Sequence, residues 1–284
     1  MNEKNFAAFL SVLAASALTL LKVVVGLLTG SLGILSEALH STLDMVAAAM
    51  TFFAVKMSDK PADKEHTFGH GKIENLTALV EAVLLLVVCA WVVYEAVSRL
   101  LFDKSAFSIS GWAFAVVLIS IVVDFFRARH LSAMAKKYKS QALEADALHF
   151  STDILSSFVV LFGLLGAQFG YFAADSVAAL GVSVIVAVVA FRLASRAVSE
   201  LLDTAPSGVV ERIDDILKTI EEVHYWHDLR VCSHGAEYHI DVNVHVNSEL
   251  SIVQAHAISE RIEEAIQREL GISKISVHIE PDNK

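Results

Sequence analysis

Six stretches of about twenty mostly apolar residues fill the chain up to Asp203, at 6–28, 32–55, 76–100, 109–126, 143–169 and 173–197. A helix of that length crosses the hydrocarbon of a bilayer. In lipid the backbone must satisfy its own hydrogen bonds, so each stretch is predicted to be a transmembrane helix. The composition agrees: 55% of the 284 residues are apolar, 19% are charged, and three prolines leave long helices uninterrupted. The low charge fraction excludes disorder, and two cysteines, Cys89 and Cys232, exclude a disulfide scaffold. A net charge of −10 argues against nucleic acid as a partner. The first stretch is too long, and too closely followed by the second, to be a cleaved signal peptide.

After Asp203 the character changes. Ala205-Pro206-Ser207-Gly208 reads as a linker, and nothing in 209–284 is apolar enough to cross a membrane. The expected organisation is an all-α six-helix transmembrane domain, 1–208, followed by a soluble domain, 209–284. In the soluble part, 209–222 has helical periodicity, 229–233 and 237–246 read as strands around Gly235, 252–270 as an amphipathic helix, and 274–279 as a last strand. The order αββαβ predicts a small α+β domain of the ferredoxin or metallochaperone type, with its helices on one sheet face. Along the second strand His239, Asp241, Asn243 and His245 alternate with Ile240, Val242, Val244 and Val246, so the two sets face opposite ways.

Lysine and arginine orient the bundle. Lys56, Lys60, Lys64 and Lys72 follow the second span, and Arg127, Arg129, Lys136, Lys137 and Lys139 follow the fourth; the opposite side offers Arg99 and Lys104. By the positive-inside rule both termini and the soluble domain face the cytoplasm, as in a multi-pass protein of a plasma (inner) membrane. Cys232 is then expected to be a free thiol.

Two spans carry ionisable residues that lipid does not tolerate without a reason. The second contains Glu37-Ala38-Leu39-His40-Ser41-Thr42-Leu43-Asp44, and the fifth Asp146-Ala147-Leu148-His149-Phe150-Ser151-Thr152-Asp153. Both read acid-Ala-Leu-His-x-x-x-Asp, which puts the polar residues on one helix face. An interhelical hydrogen-bonding staple does not require matched spacing in two helices. Two imidazoles and two carboxylates from facing helices do suit a tetrahedral divalent ion of borderline softness, zinc above all. Glu37 and Asp146 remain open between proton carriage, support of the ligands and helix packing. Between the second and third spans, Asp63, His66 and His70 offer three further ligands within eight residues, in the run Asp63-Lys64-Glu65-His66-Thr67-Phe68-Gly69-His70-Gly71-Lys72, whose two glycines permit tight turns.

Six spans, the paired HxxxD motifs, the DxxHTFGHGK loop and the αββαβ tail together resemble the cation diffusion facilitator family of zinc-type metal exporters, over essentially the whole chain. The resemblance implies a homodimer that exchanges a cytoplasmic divalent metal for protons. It implies a transport site at His40, Asp44, His149 and Asp153, a loop site at Asp63, His66 and His70, and an interlocking ion pair between Lys72 and Asp203. It also implies a regulatory metal site in the tail at His227, His256, His278 and Glu280. Asn243 stands where the family often has a strand histidine, and His245 or His239, on the same strand face, is the substitute to look for.

The expected activity is therefore proton-coupled efflux of Zn2+, with Cd2+ as a second substrate, and not an enzymatic reaction. Zn2+ is both substrate and regulatory ligand, and protons are the counter-substrate. Binding needs neutral histidine and ionised aspartate, so loading from a near-neutral cytoplasm releases protons. Export of Fe2+ or Mn2+ is the alternative within the family. A membrane sensor that moves nothing is the alternative outside it, and it would need only the tail.

Overall fold

The computed structural model describes residues 2–29, 32–102, 111–168, 174–271 and 273–282. Six long helices come first: α1 (Glu3–Thr29), α2 (Leu32–Ser58), α3 (Ile73–Phe102), α4 (Gly111–Tyr138), α5 (Gln141–Gln168) and α6 (Ala174–Leu201). Among the described residues, three stretches are long and apolar enough to cross a membrane, Glu3–Leu28, Ile73–Ser98 and Ala179–Leu201. Helices α2, α4 and α5 carry acids and bases within their length, among them Asp44, Asp124, Arg127, Asp146 and Asp153.

The helix contacts are built on small side chains. Ala8, Ala15, Ala48, Ala128, Ala142 and Ala147 are buried together with Leu131 and Phe150, and small residues let helix backbones approach closely where hydrophobic driving force is weak. Large apolar residues instead point outward: Leu27, Phe53, Trp91, Leu101, Phe126 and Phe191 are all exposed. A surface of this kind is what lipid wets and water does not. At one end of the bundle Lys4 pairs with Asp59 and Glu74, while Ser58 and Ser140 donate to Glu74, so α1, α2, α3 and the start of α5 share one polar knot.

The fourth helix departs from the sequence expectation. Apolar content ends at Phe126, but α4 continues to Tyr138, so Arg127, Arg129, Lys136 and Lys137 are helical and only Lys139, at φ 50°, lies in the turn. Alanine, methionine, arginine and lysine are good helix formers, and hydropathy reports contact with lipid, not helicity. Arg127 is buried at 8% exposure, so it is not a loop charge and drops out of the count that orients the bundle.

By contacts the chain divides into two compact units, one of Met1–Asp59 and Ile73–Ala197, the other of Lys60–Lys72 and Val198–Lys284. The second unit holds α7 (Val209–Lys218), β1 (Tyr225–His234), β2 (Glu237–Asn247), α8 (Ile252–Leu270) and β3 (Ser273–Asp282). The order is the expected αββαβ. Helix α7 stops four residues short of the expected 222, where β-branched Thr219 and Ile220 follow and the Thr219 amide turns back to Ile216. Strands β1 and β2 form an antiparallel hairpin through Gly235, at φ 67°, with a bulge between His227 and Arg230. Strand β3 runs parallel to β2, which requires a crossover, and α8 supplies it. Ser251 caps α8 by accepting from the Gln254 amide, while the Gln254 side chain reaches back to Ser251. The core of this unit is one cluster of Val209, Ile213, Leu217, Ile240, Val242, Val244, Ile258, Ile262 and Ile266, all from α7, α8 and one sheet face. The other face carries the histidines.

Candidate metal sites

In α5 the four-residue spacing of His149 and Asp153 puts them one turn apart on one face. His149 Nε2 lies 3.7 Å from Asp153 Oδ2 and 3.2 Å from Asp44 Oδ1 of α2. The three residues offer one ligand atom each within 4.8 Å of one another, and His149 is 9% exposed. Helix α2 is continuous through His40, one turn before Asp44, but the side chains of His40 and Glu37 lie outside the described residues. A cavity of about 280 Å³ between α3, α5 and α6 reaches His149 and Asp153; Leu85, Cys89, Glu95 and Val186 are among its walls.

Asp146 does something different from Asp153. It is fully buried and accepts from Ser11 Oγ at 2.9 Å; Ser11 also accepts from Arg127, whose guanidinium pairs with Asp124 at 3.0 Å and lies 3.5 Å over the Phe150 ring. This network ties α1, α4 and α5 together. With Glu81, buried in α3 and hydrogen-bonded by Thr51 of α2, it was missed in the sequence, although an acid inside an apolar span was the available signal.

In the 60–72 loop, Asp63 is the organiser. Its carboxylate accepts from the backbone amides of His66 and Glu65 at 2.7 and 2.9 Å, which holds it below the usual carboxylate range and folds the loop over it. The same carboxylate is 3.4 Å from His66 Nδ1 and 3.5 Å from His70 Nε2, and the two imidazoles are 4.4 Å apart. All three expected loop residues are thus brought together, with His70 buried and the other two exposed. Gly69 takes φ 85°, and Gly71 is needed for a different reason: a Cβ there would sit 2.5 Å from the His234 carbonyl oxygen.

On the open face of the sheet, Glu280 of β3 is the shared carboxylate. Its Oε2 lies 3.2 Å from His245 Nε2 and 3.4 Å from His227 Nε2, and the two rings are 5.2 Å apart. Register explains this: His245 is directly opposite Glu280, and His227 is opposite Asn243. Asn243 donates to Glu280 Oε1 at 3.4 Å, and His278 Nε2 is 3.7 Å from that same oxygen. Of the two candidate substitutes for Asn243, His245 is the one brought to Glu280, while His239 lies farther along the strand, opposite Cys232. His256 is not brought to this group: it sits on α8, 69% exposed at its side chain, with Glu260 Oε1 3.5 Å from Nε2. Two imidazoles and a carboxylate in the tail, like one imidazole and two carboxylates in the bundle, suit a borderline dication.

Lys72 Nζ donates to Asp203 Oδ1 at 2.6 Å, and this contact holds the Asp203 carboxyl below its usual range. Beside it lies a fourth group that the sequence reading did not assemble. Asp203, Cys232 and His234 each offer a ligand atom within 4.8 Å of the others. Cys232 and His234, two apart in β1, necessarily share a face.

The family model for the cation efflux transmembrane domain matches residues 8–202, and that for the cation efflux protein cytoplasmic domain matches residues 205–282. The chain is 32% identical over 276 residues to the cation-efflux pump FieF of Citrobacter koseri, an alignment covering 97% of this chain and 92% of that one. It is 31% identical, with the same coverage, to FieF of Salmonella schwarzengrund.

Proposed function

This chain belongs to the cation efflux (cation diffusion facilitator) family, and we propose that it carries Zn2+, with Cd2+ as a second substrate, out of the cytoplasm in exchange for protons. The observation that carries the reading is the Asp44–His149–Asp153 cluster, three ligands from two helices of the bundle. His40, one turn before Asp44 in sequence, is the fourth ligand that the family resemblance implies, for an N2O2 set. Such a set favours zinc over the harder Mn2+, which prefers oxygen throughout.

Coupling follows from the ligands' own chemistry. A dication binds when the imidazoles are neutral and the carboxylates ionised, so each loading event competes with protons. On a more acidic side the same residues take protons back and release the ion. The cavity between α3, α5 and α6 offers an approach to His149 and Asp153 from one side of the bundle. All six long helices cross the membrane in this reading, with both termini and the tail in the cytoplasm. The domains are a transport part, 1–208, and a regulatory part, 209–284. The tail binds metal when cytoplasmic levels rise and draws two protomers together, the loop holds a second metal site at Asp63, His66 and His70, and Lys72 with Asp203 locks the loop to the end of α6.

Purified protein in proteoliposomes tests this directly. Zn2+ and Cd2+ should be taken up faster with an opposing pH gradient than without one. Flux of Fe2+ or Mn2+ exceeding that of Zn2+ would reassign the substrate, and metal-dependent changes in the tail without any flux would make the protein a sensor.

A further inference from the structure

The sheet's open face has two ends. One carries the Glu280 group. At the other, β1 places Cys232 and His234 side by side, while Val231 and Ser233 turn into the core. The α6 terminus brings Asp203, at a left-handed φ of 58°, to within ligand distance of both. The Cys232 thiol hydrogen-bonds the Asp203 carboxylate, whose other neighbour is the Lys72 ammonium. Phe68 and His239 wall the group in, with ring centroids 5.5 and 4.4 Å from that of His234. Burial and the adjoining His239 hold the His234 imidazole below its ordinary pKa.

We propose that Asp203, Cys232 and His234 form a further cation site that takes a thiophilic d10 dication, Zn2+ or Cd2+, in competition with Lys72 for the Asp203 carboxylate. The donor set is the argument. Among the described residues it is the one cluster that includes sulfur, and thiolate, imidazole and carboxylate together select soft and borderline ions over Mg2+, Ca2+ or Mn2+. A tetrahedral zinc with bonds of about 2.0–2.3 Å sets its ligands roughly 3.5 Å apart, so the present spacing closes by side-chain rotation of about an ångström. Binding replaces the thiol proton by the metal: the S–H bond breaks, the metal–sulfur bond forms, and one proton leaves to solvent. A dication cannot sit beside an ammonium without repulsion, so occupancy loosens the Lys72–Asp203 pair. The site thereby couples metal in the cytoplasm to the contact between the loop and the end of α6, independently of the Glu280 group.

Cobalt provides a readout that flux does not. Full-length protein in detergent, titrated with Co2+, should develop a thiolate-to-Co2+ charge-transfer band in the near ultraviolet, because the other candidate sites hold no sulfur. Cys232→Ser should abolish the band with an unchanged gel-filtration profile, and Cys89→Ser should retain it. In unaltered protein Cd2+, but not Mg2+, should slow alkylation of Cys232. Lys72→Ala should lower the Co2+ midpoint roughly fivefold, the ratio an exposed ion pair represents. No band at saturating Co2+, a band that survives Cys232→Ser, or alkylation indifferent to Cd2+ would overturn the site, leaving a hydrogen-bonded thiol. A midpoint unmoved in Lys72→Ala would overturn the competition.

Discussion

In the helical bundle, His149 and Asp153 come from a single turn of α5 and only Asp44 is borrowed from a neighbouring helix. On the sheet, His227, His245 and Glu280 come from three different strands. Both groups are two kinds of ligand, imidazole and carboxylate, at similar separations. The bundle group is largely pre-set by helix geometry, so under the proposed function its ligands act on an ion in transit. The sheet group exists only when all three strands are in register, so an ion there acts on the fold itself. Under the proposed function the same chemistry serves as a carrier in one place and a clamp in the other.

The largest effect tests the carrier. Asp153→Ala removes one of the two described carboxylates from a site that must compensate a dication in low dielectric. Loss of a merely supporting partner costs about 10–100-fold, so loss of this ligand should lower zinc flux at least about 100-fold. The protein should keep its oligomeric state, because the cores of the bundle do not include Asp153. Near-normal flux in proteoliposomes would remove Asp153 from the site.

The clamp is tested by stability. An isolated 209–284 fragment carries its own core from α7, α8 and the sheet. Zinc at 100 times Kd should stabilise it by about 2.7 kcal/mol. Glu280→Gln should lose most of that gain, because one oxygen faces both His245 and His227. Thermal unfolding with zinc and with a chelator reads the difference, and a zinc-dependent shift equal to that of the unaltered fragment would dissolve the cluster. His256→Ala should change the zinc gain by less than about 0.5 kcal/mol, as an exposed residue paired within its own helix does. A large loss there would mean that α8 contributes a ligand the geometry does not show.

Much of this was legible in the residues. A helix repeats every 3.6 positions, so HxxxD in an apolar span already places His149 over Asp153, and alternation in 237–246 already separates His239, Asp241, Asn243 and His245 from the core. What a strand's own pattern does not contain is its partner's register. Nothing local says that His245 faces Glu280, or that β3 runs parallel beside β2, because both depend on where the α8 crossover sets the last strand down. The same reason hid the Cys232 group: its third member, Asp203, is distant in sequence and reaches the strand only through the turn after α6. Grouping His256 with the other tail histidines is the converse case, where a matching motif does not bring the side chain to the cluster. Buried Asp146 and Arg127 were visible as charges, but their pairing through Ser11 of α1 was not.

The smallest effect asks whether charges on the sheet domain behave as groups in water, in contrast to the buried pairs of the bundle. Arg261 of α8 donates to Glu222 Oε1 at 2.7 Å, and this contact lowers the Glu222 pKa below its ordinary value. A carboxylate whose pKa is lower folded than unfolded binds fewer protons in the native state at moderately acid pH. Its stabilising contribution is therefore complete above the unfolded value of about 4.3 and is lost as pH falls through the folded value. Glu222→Gln cannot titrate. The Tm of the 209–284 fragment should accordingly exceed that of its Glu222→Gln variant by a small, constant margin from neutral pH down to about 5, and the two should converge below about 4. High salt should shrink the margin at every pH, because both partners are exposed. A margin that persists undiminished in acid would show that it does not come from the Glu222 charge, because the glutamine variant keeps the same stem.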